Sequence, residues 1–166
     1  MKPLPLTLAV FTLIALIVAA TTAAAEVVRP APDFTWSGGK SASLKGLRGQ
    51  PVVLIVATSP KSSAFRKQVK RLEAEYTQFA ARGAVFAAAF TEASSDSGTV
   101  KSNIPFVIAK DGEGVASRYG VTSPFALIVV GRDGNMDLLT AKVSPASLVR
   151  DVILNNAELQ SAERRL

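Results

Sequence analysis

The sequence predicts an α/β fold in three layers, a mixed central sheet between helices. Three observations point to it. Continuous apolar runs at Val52–Ala57, Val85–Phe90 and Phe125–Val130 are too short for helices and suit strands buried on both faces. Between the first two, Phe65, Val69, Leu72, Tyr76 and Phe79 are spaced four, three, four and three, which is one face of a helix. After the third, Arg132-Asp133-Gly134-Asn135 supplies turn residues for a hairpin into Met136–Thr140. Alternating strand and helix followed by an antiparallel hairpin makes the sheet mixed rather than parallel.

With 166 residues, 48% hydrophobic and 19% charged, the chain can build one domain with its own core. Residues 1–25 are set apart. Lys2 precedes an uncharged apolar run over 6–20, and Thr21-Thr22-Ala23-Ala24-Ala25 follows. A positive start, an apolar middle and small residues at the end mark a secretory signal cut after Ala25. The rival is an uncleaved membrane anchor, because the uncharged span is nearly long enough to cross a bilayer. Contact with a membrane is expected only in that second case. The chain has no cysteine, which excludes a lipid-modified N-terminus and any disulfide. An exported protein, periplasmic or secreted, is the expectation. Losing Lys2 with the leader takes the formal charge from +6 to +5. A basic balance aids solubility and weak contact with anionic surfaces, and does not by itself indicate nucleic acid.

Residues 26–45 hold Pro30 and Pro32 and should run extended over the surface, with a turn at 36–40. A single domain then occupies 46–157. Residues 43–49 form a short helical turn or loop before the first strand. The amphipathic helix spans 62–82, with Ser62 or Ser63 as its cap and Gly83 ending it. Residues 91–103 are polar and rich in Ser and Gly, a loop or irregular helix. A brief extended segment at 104–108 and a short helix at 111–119, closed by Gly120, lead to the third strand. Ser144 as N-cap and Pro145 in the first turn start a last helix, with Leu148, Val149, Val152 and Ile153 as its buried stripe. Residues 158–166 read as a charged tail.

Several segments, in this order and spacing, resemble the thioredoxin-like superfamily, in particular its alkyl hydroperoxide reductase/thiol-specific antioxidant branch (peroxiredoxin-like, redoxin). The matching pieces are Ala31-Pro32-Asp33-Phe34, the stretch 43–54, Ala57-Thr58, Ile104-Pro105-Phe106, Asp111-Gly112, Ser117-Arg118-Tyr119-Gly120-Val121, Ser123-Pro124 and Arg132-Asp133-Gly134. Together they cover roughly residues 30–155. The resemblance implies a thioredoxin-like sandwich, and a cis bond before Pro124 facing the site. It also implies reactive cysteines at the junction after the first strand. Ungapped alignment puts Pro60 and Ser63 at the two cysteine positions of the reductase motif. Serine cannot replace them: with no histidine in the chain to act as base, a hydroxyl stays protonated and forms no disulfide. Dithiol and peroxidase chemistry is therefore not carried over, and no cofactor or metal is implied.

The candidate binding residues are Ser59, Pro60, Lys61, Ser62, Ser63, Ser123 and Pro124. The first five flank a helix N-terminus and serve either as turn and cap or as an anion or carboxylate pocket. A Ser–Lys nucleophile pair would need a desolvated Lys61, which nothing in the sequence provides. Ser123 and Pro124 could offer backbone to an extended peptide, or persist only as core structure. Lys61, Arg66, Lys67, Lys70 and Arg71 place five cations in eleven residues with no acid among them. Cations in the first turns oppose the helix dipole by a few tenths of a kcal/mol each. They form either a solvated face or a basic patch for an acidic partner or anionic surface. Without interleaved aromatics, nucleic acid is not expected as the partner. Asp133 to Asp137 lacks the glycine and distal glutamate of a calcium loop and fits a hairpin turn. The expectation is a binding module without turnover, for a protein or anion. The alternative is an antioxidant activity that borrows a partner's thiols.

Overall fold

The computed structural model describes residues 29–37, 43–92 and 100–163. The expected signal at 1–25 lies outside them, as do Gly38 to Lys40 of the expected turn, 93–99 of the polar stretch and 164–166 of the expected tail. Five strands form one sheet: β1 Val52–Ala57, β2 Val85–Phe90, β3 Phe106–Ile108, β4 Phe125–Val130 and β5 Met136–Thr140, in the order β3-β2-β1-β4-β5. β1, β2 and β3 run parallel, whereas β4 is antiparallel to β1 and to β5. The mixed sheet is as expected, with β1 at its centre.

The continuous apolar strands follow from burial on both faces. Val53, Ile55 and Ala57 point into one core with Phe65, Leu72, Phe79, Phe86 and Val149. Val52, Leu54 and Val56 point into a second core with Phe34, Trp36, Val115 and Tyr119. Helices α1 Ser63–Glu73 and α2 Tyr76–Ala80 cover the first face together with α4 Ala146–Glu163. Helix α3 Gly112–Arg118 covers the second.

Five expectations need correction. The single helix over 62–82 is two, broken at Ala74 and Glu75, where Glu75 adopts φ −119° and its carboxylate pairs with Arg150 at 2.7 Å. The break preserves the apolar spacing: Phe79 still meets Phe86 edge-on, ring centres 5.7 Å apart. The N-terminal segment does not merely cross the surface. Phe34 and Trp36 are buried and roof the second core, held by Leu44 N–H donating to Phe34 O and Lys110 N–H to Thr35 O. Leu148 is 42% exposed, and Ala146 joins Val149 and Ile153 in the buried stripe instead. Finally, α4 begins at Ala146, after Pro145, and Ser144 is no simple cap. Ser144 is buried, and its backbone N–H and C=O both bond the side-chain amide of fully buried Gln68, at 2.8 and 3.1 Å. α4 also continues to Glu163, through much of the stretch read as a tail.

Two glycines matter to the architecture. Gly83 has φ +69°, the left-handed turn that follows α2 and lets the chain enter β2. Gly112 lies so close to β2 that a Cβ there would sit 1.8 Å from the Phe90 carbonyl oxygen.

Candidate functional site

The site grows from the C-terminal end of β1. Ala57 pairs with Phe90 on one side and Phe125 on the other, so the loop leaving β1 emerges at the sheet end where β4 begins. Thr91 and Glu92 extend the ladder past β2, their N–H groups donating to Ala57 O and Thr58 O. Pro124 precedes Phe125 and therefore stands at this same end.

Residues 59–63 form a tight turn in which Ser62 N–H donates to Ser59 O at 3.2 Å. Ser62 has the extended conformation of a cap (φ −60°, ψ 142°), and its hydroxyl accepts from Phe65 N–H at 3.4 Å. Its carbonyl accepts from Arg66 N–H. Ser59 and Pro60 are half-buried; Lys61 and Ser63 are exposed. The Ser62 hydroxyl thus serves the helix, and exposed Lys61 lacks the desolvation that a base beside a nucleophile requires. No group of three or more His, Cys, Asp or Glu that could hold a metal occurs among the described residues.

The resemblance implies a cis bond before Pro124, but the described chain contains no cis peptide bond. The Ser123–Pro124 bond is trans, the form an X–Pro bond favours by about 0.5–1 kcal/mol. Ser123 also donates its hydroxyl across the proline to Phe125 O at 2.6 Å. Among the described residues, no hydrogen bond uses the backbone N–H of Thr122 or Ser123. Pro124 and Ser123 line an open depression of about 650 Å³ with Thr91, Glu113, Ser117 and Thr122. None of Ser59, Pro60, Lys61, Ser62 or Ser63 lines it. The two candidate groups share a sheet end but not a pocket.

Arg66, Lys67, Lys70 and Arg71 are exposed along one flank of α1. Arg71 has a structural duty, its guanidinium donating to Val143 O at 3.2 Å. Neighbouring carboxylates are committed elsewhere: Glu73 accepts from Ser102 Oγ and Asn103 N–H, and Glu75 pairs with Arg150. No ion pair among the described residues engages Arg66, Lys67 or Lys70.

Thr91, Glu113, Ser117 and Thr122 were missed in the sequence because they come from three separate elements and carry no joint spacing signal. Tyr119 was quoted only within a motif. Its hydroxyl donates to Pro32 O at 2.8 Å, anchoring the N-terminal segment. Burial, and then the nearby Asp33 carboxylate, hold the phenol far above its ordinary pKa, with Arg118 opposing. A second depression of about 340 Å³ opens beside it, lined by Asp33, Thr35, Asp111 and Arg118 among others.

A mixed five-stranded sheet with helices on both faces and a strand–loop–helix junction at its centre defines a thioredoxin-like protein, here without thiols. The family model for AhpC/TSA matches residues 27–138, and the chain belongs to that family. Among solved structures it is similar to a protein assigned as the thiol:disulfide interchange protein DsbE of Chlorobium tepidum. The TM-score is 0.63 at 21% identity, over 78% of this chain and 96% of that one. It is also similar to thioredoxin peroxidase I of Plasmodium yoelii, with a TM-score of 0.60 at 15% identity over 82% and 92% of the two chains. A thiol:disulfide interchange protein from Bacteroides sp. gives 0.60 at 20% identity over 75% and 86%. Identities this low establish the fold alone. No curated protein matches the chain.

Proposed function

We propose that this chain is an exported, non-catalytic member of its family that binds a protein partner through the sheet end carrying Ser123 and Pro124. The observation that carries this reading is the absence of thiols: no cysteine or histidine occurs anywhere in the chain, and the family resemblance implies that Pro60 and Ser63 take the places of a reductase's two cysteines. A scaffold that cannot cycle electrons can still recognise. The unused N–H groups of Thr122 and Ser123 beside a 650 Å³ depression suit an extended peptide added along the backbone. Export rests on the leader-like pattern of residues 1–25.

The test has two arms. Partner capture from the cell envelope should fall when Ser117→Arg or Thr122→Arg fills the depression. Peroxide and disulfide consumption by the purified protein should not exceed buffer. A rate above buffer that Ser62→Ala/Ser63→Ala abolishes would replace binding with catalysis. Peroxide consumption that appears only with added thiol-bearing proteins would favour the alternative, an antioxidant role using partner thiols.

A further inference from the structure

The fold gathers four arginines that the sequence scatters. Around the β4–β5 hairpin, at the opposite end of the sheet from Ser123 and Pro124, lie Arg29, Arg48, Arg82 and Arg132. Arg29 O accepts from Met136 N–H, and the next contact along that segment is Ala31 N–H to Gly134 O. Gly49 N–H donates to Arg132 O, and the Arg48 side chain passes over Gly134, its Nε 3.7 Å from where a Cβ would be. The Arg132 guanidinium donates to Arg82 O at 2.9 Å. Arg82 turns its own guanidinium to Gln78 O at 2.7 Å.

Little in this neighbourhood balances the charge. Two carboxylates stand on the hairpin against the four arginines: Asp133 in the turn, both of whose oxygens accept from Asn135, and exposed Asp137 on β5. No ion pair among the described residues engages any of the four arginines. The Arg132 Nε is buried and without an acceptor. Like charges brought to one end of the sheet repel, and no salt bridge among the described residues offsets them.

We propose that this arginine-bearing end docks on an anionic phospholipid surface. Exposed Arg29 and Arg48 can pair with phosphate through two parallel N–H···O bonds, which suits a layer of phosphodiester headgroups, while Arg82 and Arg132, bonded to carbonyl oxygens, add charge behind them. None of the four residues lines either depression, and a continuous layer of phosphates needs no groove. The apolar run over 6–20 ends nine residues before Arg29, a tether of at most about 30 Å. A bilayer that holds this run as an uncleaved anchor lies within reach of the arginines; once the leader is cut after Ala25, their charge alone must hold the surface. The inference shares the premise of export with the function proposed above but is independent of the depression at Pro124.

The protein as the cell delivers it, its N-terminal form read by mass, is sedimented with vesicles of phosphatidylcholine alone or mixed with phosphatidylglycerol. Association should be stronger with the anionic vesicles and should weaken as salt rises. Arg29→Gln/Arg48→Gln, both at exposed positions, should lower the anionic component by about 25-fold, at roughly fivefold per arginine. Lys67→Gln/Lys70→Gln on α1 should lower it far less. Equal binding to both vesicle types, equal loss in the two double variants, or capture of acidic proteins without vesicle binding would each overturn the proposal. Partner capture through Ser123 and Pro124 should be unchanged in Arg29→Gln/Arg48→Gln, so the two readings fail separately.

Discussion

Replacing Gln68 with leucine should cost about 3 kcal/mol of stability, although the new side chain is apolar and close in size. Gln68 is fully buried on α1, and Ser144 is 5% exposed just before α4. The amide satisfies the Ser144 N–H and C=O at once and so joins two helices 76 residues apart in sequence. Leucine leaves both backbone groups without partners and without water, at about 1–3 kcal/mol each, and its added apolar surface recovers part of that. A domain of this size has about 5–15 kcal/mol in total, so the midpoint of thermal unfolding should fall by roughly 10 °C. Urea unfolding followed by Trp36 fluorescence measures the loss. Trp36 is the one tryptophan and is buried in the other core, so it reports global unfolding rather than the mutated contact. A loss below about 0.5 kcal/mol at unchanged denaturant slope would refute the reasoning, because it would mean the Ser144 backbone finds other partners. Gln68→Glu sharpens the test. Only a protonated carboxyl can both donate to Ser144 O and accept from its N–H, so its folded pKa should rise above the unfolded value. Stability of that variant should be greatest below about pH 4.3 and fall as pH rises past it.

Three further outcomes follow from the geometry. Gly112→Ala drives a methyl into the Phe90 carbonyl and should cost several kcal/mol or abolish soluble expression, whereas Gly114→Ala meets the Asp111 side chain, which can move; circular dichroism melts of the two compare them. The raised Tyr119 pKa means the folded state keeps a proton that the unfolded state releases above about pH 10. Stability should therefore fall with rising pH there by up to about 1.4 kcal/mol per unit, and Tyr119→Phe should flatten that slope in urea titrations. Ser63→Cys places a thiol at the exposed first residue of α1, where helix amides and Arg66 and Lys67 favour the thiolate. Its pKa should fall below the free value of about 8.5, read from the pH dependence of alkylation, and an unshifted value would mean the junction has lost its electrostatic character.

Much of the fold was legible because burial on both faces writes itself locally. Residues 52–57, 85–90 and 125–130 had no polar residue to confuse the assignment, and all three became strands with those bounds. A cap at Ser62 or Ser63 was readable from their place before an apolar period, and the structure selects Ser62. The helix break at Glu75 was not, because the spacing of apolar residues is the same on both sides and the partner that Glu75 meets there, Arg150, is remote in sequence. Leu148 was misplaced because both it and Ala146 fit a helical stripe next to Val149, and only the packing of α4 on β4 and β5 decides between them.

The candidate site divides the same way. By itself the sequence determined the chemistry that is absent: no thiol and no imidazole, hence no thiol redox cycle, whatever the chain folds into. It also determined the scaffold, since apolar periodicity and turn residues are local properties. Only the tertiary structure decided which polar groups meet. The β1–β4 register carries Pro124 to the loop leaving β1. One buried amide ties Gln68 to Ser144, and four distant arginines converge on a single hairpin. Such meetings depend on strand order and helix packing, which bring together residues whose separation along the chain carries no signal of contact.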